Sequence, residues 1–424
     1  MSKKVPEGWR VAKLGDVAEA QSGGTPLRTN ALYWDGTIPF MKIEDMTRAK
    51  KYLSATENFI TEAGLKNSSA RMFPSNTVFL AMYASFGCVC ISKILCSCSQ
   101  AILGFDKSQH IIPDYLYYLL ISMKSSWRRE VQTGSQPNLS KGLVLGKKVI
   151  LPPLAEQEKI AEILGSVDAA IDSTRRVIDQ TRSLKRALTQ QLLTKGIPGR
   201  HAKFKDSPFG KIPQEWSVAP LATITKLQTG FPFKSSWFDE SSKMRLVRGE
   251  NVGVGRCDWS DARRIDTEKH GAFDEYRLSL GNIIIGMDRT FTKAGYKLTR
   301  IVESDLPALL VQRVGRFQPK ECDEEYLFCV LKSDQYISKI KNNQKGSDLP
   351  HLSKTEILEP NIPIPPRREQ AEIATFLASF EEKENKEQVL LSQLGILKVA
   401  LMSALLSGNI RVSVNPKQEH RSAA

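Results

Sequence analysis

The chain repeats itself, and the repeat limits what it can fold into more than any other feature. "LPPLAEQEKIAEIL" at 151–164 returns as "IPIPPRREQAEIATFL" at 362–377. With Pro152 set on Pro365, an offset of 213 residues, Glu156 falls on Glu369, Gln157 on Gln370, Ile160 on Ile373, Ala161 on Ala374 and Leu164 on Leu377. The same offset carries Lys185 to Lys398, Ala187 to Ala400, Leu188 to Leu401, and Leu192 and Leu193 to Leu405 and Leu406. Further back, "VPEGWRVAKLGDVAEAQSGG" from Val5 matches "IPQEWSVAPLATITKLQTGF" from Ile212 at an offset of 207, through Trp9 and Trp216, Leu14 and Leu221, Gln21 and Gln228, Gly23 and Gly230. A few residues of loop absorb the drift. Self-similarity over this length means one structural unit written twice.

Each copy closes with a long helix. Proline just before a helical period suits a helix entry, whose first turn has no use for the missing N–H. From Glu156 to Lys195 is 40 residues and from Glu369 to Ser407 is 39, so at about 1.5 Å per residue each helix is roughly 60 Å long. Apolar residues recur at Ile160, Leu164, Val167, Ile171 and Ile178, with a shifted stripe at Leu184, Leu188 and Leu192. The second helix has Ile373, Leu377 and Phe380, then Leu391, Leu394, Leu397, Leu401 and Leu405, around a charged middle "EEKENKE" at 381–387. Alternating steps of three and four are those of a coiled-coil seam. No segment after Lys195 is long enough to run back along the helix, so an antiparallel pair is predicted.

The rest of each copy is mixed and loop-rich. Short β-rich runs such as "NTVFLAMY" (76–83) and "NIIIGM" (282–287) are bounded by turn residues. A short helical patch follows, "PDYLYYLLISM" (113–123) or "DEEYLFCVLKS" (323–333), and then a polar loop before the prolines. The expected class is α+β: two tandem β-rich domains, each followed by a long helix, the two helices pairing as an antiparallel coiled coil. The expected division is 1–150, first domain; 151–197, first long helix; 198–211, a Gly-, Pro- and Lys-rich linker; 212–362, second domain; 363–408, second long helix; 409–424, a flexible tail.

With 60 Lys and Arg against 46 Asp and Glu, the chain carries +14, a balance that favours a polyanionic partner. No run of 18 apolar residues is read, and "MSKKVPEGW" lacks a signal-peptide core, so a cytoplasmic location is expected. Seven cysteines, an odd number, speak against a disulfide framework. Cys88, Cys90, Cys96 and Cys98 crowd into "GCVCISKILCSCSQ". Four thiolates can hold zinc, but C-x-C is not the usual C-x2–4-C spacing, and the second copy has no counterpart, so core packing is the favoured reading. No metal and no cofactor are expected.

The chemistry that this chain lacks is also informative. A base-modifying amino-methyltransferase needs an [N/D]-P-P-[Y/F] grip and a glycine-rich donor loop, whereas the PP positions here read "LPPL" and "IPPR". There is no G-x-x-x-x-G-K-[ST] for a nucleotide-driven motor. "PDYLYYLLISMK" opens like a nuclease PD motif but lacks the following E-x-K. The expectation is a chain that is not an enzyme.

Two tryptophan-containing entries ("EGWRVAKLGDV", "QEWSVAPLATI"), the "SGGTP" turn at 22–26, "WDGTIPFMKIEDM" (34–46) matched by "MRLVRGENV" (244–252), loops ending "NLSK" (138–141) and "HLSK" (351–354), and the two PP-x-x-EQ helices together resemble the DNA-specificity subunit of a type I restriction-modification system. The resemblance spans nearly the whole chain; "PPRREQ" departs from it slightly in placing Arg367 and Arg368 where the first copy has Leu154 and Ala155. It implies two target recognition domains, each reading one half of a bipartite site in double-stranded DNA. It also implies a helical spacer that docks two methyltransferase subunits, with restriction and translocase subunits in the full complex, and no membrane.

Base reading in the major groove favours Arg for guanine and Asn or Gln for adenine, while phosphates take Lys and Arg. The loops after the repeated strand, "MYASFG" (82–87) and "MDRTFTKAGYK" (287–297), supply Tyr83, Ser85, Arg289, Thr292, Lys293 and Lys297 as candidates. The polar loops "TGSQPNLSK" (133–141) and "KGSDLPHLSK" (345–354) add Gln136, Asn138 and His351, and Arg28 follows the "SGGTP" turn. Lys42 and Arg248 match each other beside Glu44 and Glu250, as DNA contacts or as a repeated structural ion pair. The candidate seam and partner positions are Ile160, Leu164, Ile171, Leu184, Leu188, Leu192, Ile373, Leu377, Leu394, Leu401 and Leu405. Two other functions fit the residues, a free-standing two-headed DNA-binding regulator and a coiled-coil adaptor. Exposed apolar residues on the long helices outside their seam would favour the subunit.

Overall fold

The structure, a computed structural model, describes residues 5–83, 85, 87–130, 138–271, 273–293, 295–343 and 351–413. It divides into two compact units, Met1–Arg176 with Val389–Ala424, and Val177–Gln388. In the first, a five-stranded sheet runs in the order Glu19–Ser22, Ile102–Lys107, Val78–Ala81, Val89–Ser92, Tyr52–Leu53. All its pairs are antiparallel except the last. A smaller sheet orders Asn58–Ile60, Trp34–Met41 and Ser97–Cys98, with the last pair parallel. The second unit repeats this: Thr225–Thr229, Val314–Pro319, Ile283–Gly286 and Leu298–Arg300 form one sheet, and Arg263–Ile265, Met244–Val247 and Ala308–Leu310 the other, again with a parallel last pair. Val78–Ala81 and Ile283–Gly286 are buried at every residue, which is why they read as continuous apolar runs and not as alternation. The α+β class with two tandem units is the one expected.

The long helices run from Leu154 to Lys195 and from Arg367 to Leu406, 42 and 40 residues. Their repeated "EQ" joins helix to domain. In the first unit buried Glu156 accepts the indole N–H of Trp9 at 2.9 Å, and in the second buried Glu369 accepts that of Trp216 at 2.9 Å. The glutamines dock the short helix: Gln157 Oε1 accepts Ile112 N and Gln370 Oε1 accepts Asp323 N, while their amides donate to the carbonyls of Pro152 and Pro365. The second oxygen of each carboxylate takes a further group. His201 Nε2 lies 2.8 Å from Glu369 Oε1, and Arg411 makes two hydrogen bonds to Glu156, at 2.8 and 2.9 Å. The stretch expected as a flexible tail therefore begins with a pinned residue, since Arg411 also donates to Glu7 O; residues 414–424 lie outside the described ones. The expected linker likewise holds His201 and a hairpin of Phe204–Ser207 with Gly210–Pro213.

Along the middle of the first helix the buried positions Ile160, Leu164, Val167, Ile171, Thr174, Ile178 and Thr181 follow steps of four and three without a shift. Ile160 and Leu164 enter the core of the first unit with Met402, Leu405 and, partly buried, Leu401. Leu192, Ile373 and Leu377 enter the core of the second, with Leu188 partly buried against it. Leu394 is half-buried. Leu184 corrects the sequence reading: it is 52% exposed, and the half-buried neighbour at the seam spacing is Lys185. Leu397 is exposed for the same reason, beside half-buried Lys398. Within the second unit Lys185 bridges Glu381 at 2.5 Å and Arg182 bridges Glu384 at 2.6 Å; within the first, Lys398 bridges Asp168 at 2.6 Å. Rising numbers on one helix meet falling numbers on the other, so the helices are antiparallel within each unit.

Glu381 also receives Lys332 at 2.7 Å. Burial alone would raise its pKa, but the hydrogen bonds from the two lysines outweigh burial and hold it at about 2. A carboxylate whose folded pKa lies below its unfolded value of about 4.3 contributes stability that is complete above that value and is lost as pH falls toward the folded one. The second unit should therefore lose stability between about pH 4.5 and 2, and Glu381→Gln should flatten that slope in acid-unfolding curves.

Cys90, Cys96 and Cys98 are buried in one cluster with Met41, Phe73 and Phe79, and Cys88 packs against it. Burial pushes the Cys96 thiol up to about 11 and that of Cys98 well above its ordinary range, which disfavours the thiolates a zinc site needs. Among the described residues no group of three His, Cys, Asp or Glu is placed to hold a metal ion. Replacing Cys98 by Ala is expected to destabilise by about 1–2 kcal/mol, with no change in metal content by mass spectrometry of the native protein; stoichiometric zinc would reverse the reading.

Candidate nucleic-acid interface

In the second unit three segments converge. The strand Ile283–Gly286 leads into Met287, Asp288 and Arg289; the strand Ala308–Leu310 turns through Val311, Gln312 and Arg313; and His351 enters from the loop before the last short helix. Backbone bonds lock them together. Met287 N donates to Arg313 O and Leu352 N to Met287 O, both at 2.9 Å. Buried Thr290 turns the chain by donating to the Gly286 and Met287 carbonyls. The result is a pocket of 480 Å³ that brings together Arg248, Arg289, Lys297 and His351 from the predicted set, with Asp288, Gln312 and Arg313 that the sequence reading did not single out.

The side chains have distinct states. Asp288 Oδ1 accepts from Arg313 Nη1 at 2.9 Å and lies 2.8 Å from His351 Nδ1. Arg289 is exposed, with a φ of 47°, and Arg313 has a φ of 66°. Lys297 donates to Gly249 O at 2.9 Å, tying two loops; burial and then the nearby Arg289 charge lower its pKa. Arg248 bridges Glu250 and also Asp261 at 3.0 Å. Its half-buried guanidinium is thereby committed within the fold. Lys42, its counterpart in the first unit, instead donates to Asn58 at 2.7 Å. On the hairpin Phe291–Thr292 with Gly295–Tyr296, Thr292 is tied to Gly295 O and Lys293 is exposed.

The first unit builds the same junction. Met82 N donates to Ala101 O at 2.9 Å and Leu139 N to Met82 O at 2.8 Å, which places exposed Tyr83 and Asn138 beside that framework. Ser85 and Arg28 are exposed. Gln136 lies outside the described residues.

The repeated architecture agrees with comparison to known proteins. The family model described as type I restriction modification DNA specificity domain matches this chain twice, over residues 6–181 and 213–392. The chain belongs to that family. The specificity subunit is 28% identical over 419 residues to the MjaVIII type I restriction enzyme specificity subunit of Methanocaldococcus jannaschii, covering 96% of this chain and 94% of the relative. It is 29% identical over 208 residues to the EcoAI specificity subunit of Escherichia coli, covering 49% and 35%. Its fold matches the type I S subunit from M. genitalium with a TM-score of 0.55 at 14% identity, covering 96% and 97%. A second solved chain, from work on complex assembly and conformational transition of a type I R-M system, gives 0.57 at 17% identity, covering 96% and 100%.

Proposed function

We propose that this specificity subunit binds a bipartite site in double-stranded DNA, one half per unit, through residues 1–150 and 212–362, and directs methyltransferase and restriction partners to it without itself catalysing a reaction. What carries the reading is the pair of junctions, which share the backbone hydrogen bonds that fix Met82, Ala101 and Leu139 in one unit and Met287, Arg313 and Leu352 in the other, and differ in side chains. The antiparallel helices act as one coiled-coil spacer that holds the two reading heads apart. Apolar residues exposed beyond the seam support a protein partner over a free-standing regulator: Val389, Leu390, Ile396, Leu397 and Val399 on the second long helix are 42–69% exposed. By length and composition this helix would also serve to cross a membrane, although no apolar run of that length was read from the sequence. A protein-docking face in a cytoplasmic complex accounts for it without one.

The test is exchange. Replacing residues 212–362 with those of a relative of different specificity should change one half of the methylated sequence in the reconstituted complex and leave the other intact. Changes in both halves would refute one-unit, one-half reading. Titrated alone, the chain should show no calorimetric binding of a methyl donor.

A further inference from the structure

The two junctions carry different side chains on a shared set of backbone bonds. The backbone bonds that fix Met287, Arg313 and Leu352 have counterparts at Met82, Ala101 and Leu139, and Phe231 N to Leu310 O has its counterpart in Gly24 N to Cys98 O. The side chains carried at the tips are Asp288, Arg313 and His351 in one unit and Tyr83, Ala101 and Asn138 in the other. The shared bonds persist while the tip changes in side chain and, at Arg313 against Ala101, in backbone conformation, as two readers of unlike sequences require.

We infer that Arg313, braced by Asp288, reads a guanine in the half-site taken by the second unit; this deepens the specificity reading above and rests on it. Asp288 engages one edge of the guanidinium, and His351 on the same carboxylate oxygen fixes Asp288 in turn. The side chain remains 59% exposed, which leaves the other edge of the planar fork open for the O6 and N7 acceptors of a guanine. Bracing also argues against a phosphate contact, because an arginine paired with a carboxylate carries little net charge toward the backbone but is held in one orientation. A role confined to folding fits poorly too. An exposed ion pair contributes little stability, and at φ 66° Arg313 occupies the left-handed position of the turn closed by Val314 N to Val311 O, a conformation unfavourable for any residue with a Cβ. Glycine would fit that backbone without strain. Strain retained at an exposed arginine points to a use for the side chain.

The experiment uses the complex reconstituted with its methyltransferase partner and duplexes substituted one base pair at a time. Arg313→Ala and Arg313→Lys should both lose about tenfold or more of the discrimination at one G·C pair of one half-site, with every other position unchanged. Lysine keeps the charge but not the fork. Asp288→Asn should weaken the same position by less. Arg313→Gly should melt no lower than the parent, since it relaxes the turn, while losing the same base preference. Uniform loss on all sequences, rescued by lysine, would reassign Arg313 to phosphate and overturn the inference, as would discrimination unchanged at every position. If the parent complex modifies no two-part site, the specificity reading itself fails; if it does and Arg313→Ala changes no position, only the guanine assignment falls.

Discussion

Removing one heptad from each long helix, Ser173–Asp179 and Lys386–Ser392, is expected to bring the two halves of the recognised sequence about three base pairs closer while leaving each half as it was. The deleted stretches span the points where each helix passes from one unit to the other, between Arg176 and Val177 and between Gln388 and Val389. They include the buried seam positions Thr174 and Ile178 but no member of the two main core clusters, and they leave Asp168, Lys185, Glu381 and Lys398 in place. A seven-residue deletion preserves the seam because its period is seven. At about 1.5 Å per residue the helix shortens by roughly 10 Å, about three steps of 3.4 Å along DNA. The heads also turn by about a third of a revolution around a duplex of roughly 10.5 base pairs per turn, so affinity should fall. Methylation mapping decides the matter: an active complex with an unchanged gap would show that the helices are not the ruler.

Glu369→Ala should destabilise the second unit strongly, by about 1–3 kcal/mol for each buried group that it leaves unpaired. It removes the acceptor of Trp216 and leaves His201 unpaired, in a pair whose side chains are 6% and 5% exposed. Its twin Glu156→Ala should cost less, because Arg411 is 44% exposed and can be rehydrated when its partner goes. Trp216→Phe removes the indole N–H, a hydrogen bond to a charged group worth about 1.5–3 kcal/mol, together with part of a buried ring. Calorimetric melting of the three variants should rank them in that way; equal losses for the two glutamates would mean that burial does not set their difference.

The repeat, the strands and both helices were legible because periodicity and turn residues report burial directly. Two errors had one cause. A seam is traced by its apolar residues, so where Lys185 and Lys398 occupy it the trace slides onto Leu184 and Leu397, although the helix does not shift. Arg313 is not legible as a site residue because "ALLVQRVGRF" carries no Gly, Pro or Asn within the tight turn from Val311 to Val314. The signal was present in the correspondence of Gln100 and Ala101 with Gln312 and Arg313, one offset of 212 lying between those of the flanking matches. Arg289, Lys297 and His351 were singled out from the sequence, yet their convergence depends on strand connections that residue spacing does not record.

Each long helix carries an acid and, 17 residues later, a lysine: Asp168 and Lys185 in one, Glu381 and Lys398 in the other. Because the acid of each helix meets the lysine of the other, a single such helix is complementary to a reversed copy of itself. A gene for one half would therefore encode both the lock and its key, and tandem duplication would supply a matched partner at once. Divergence of the reading loops could then proceed without renegotiating the joint, since the parts that must recognise each other are the parts the two halves still hold in common.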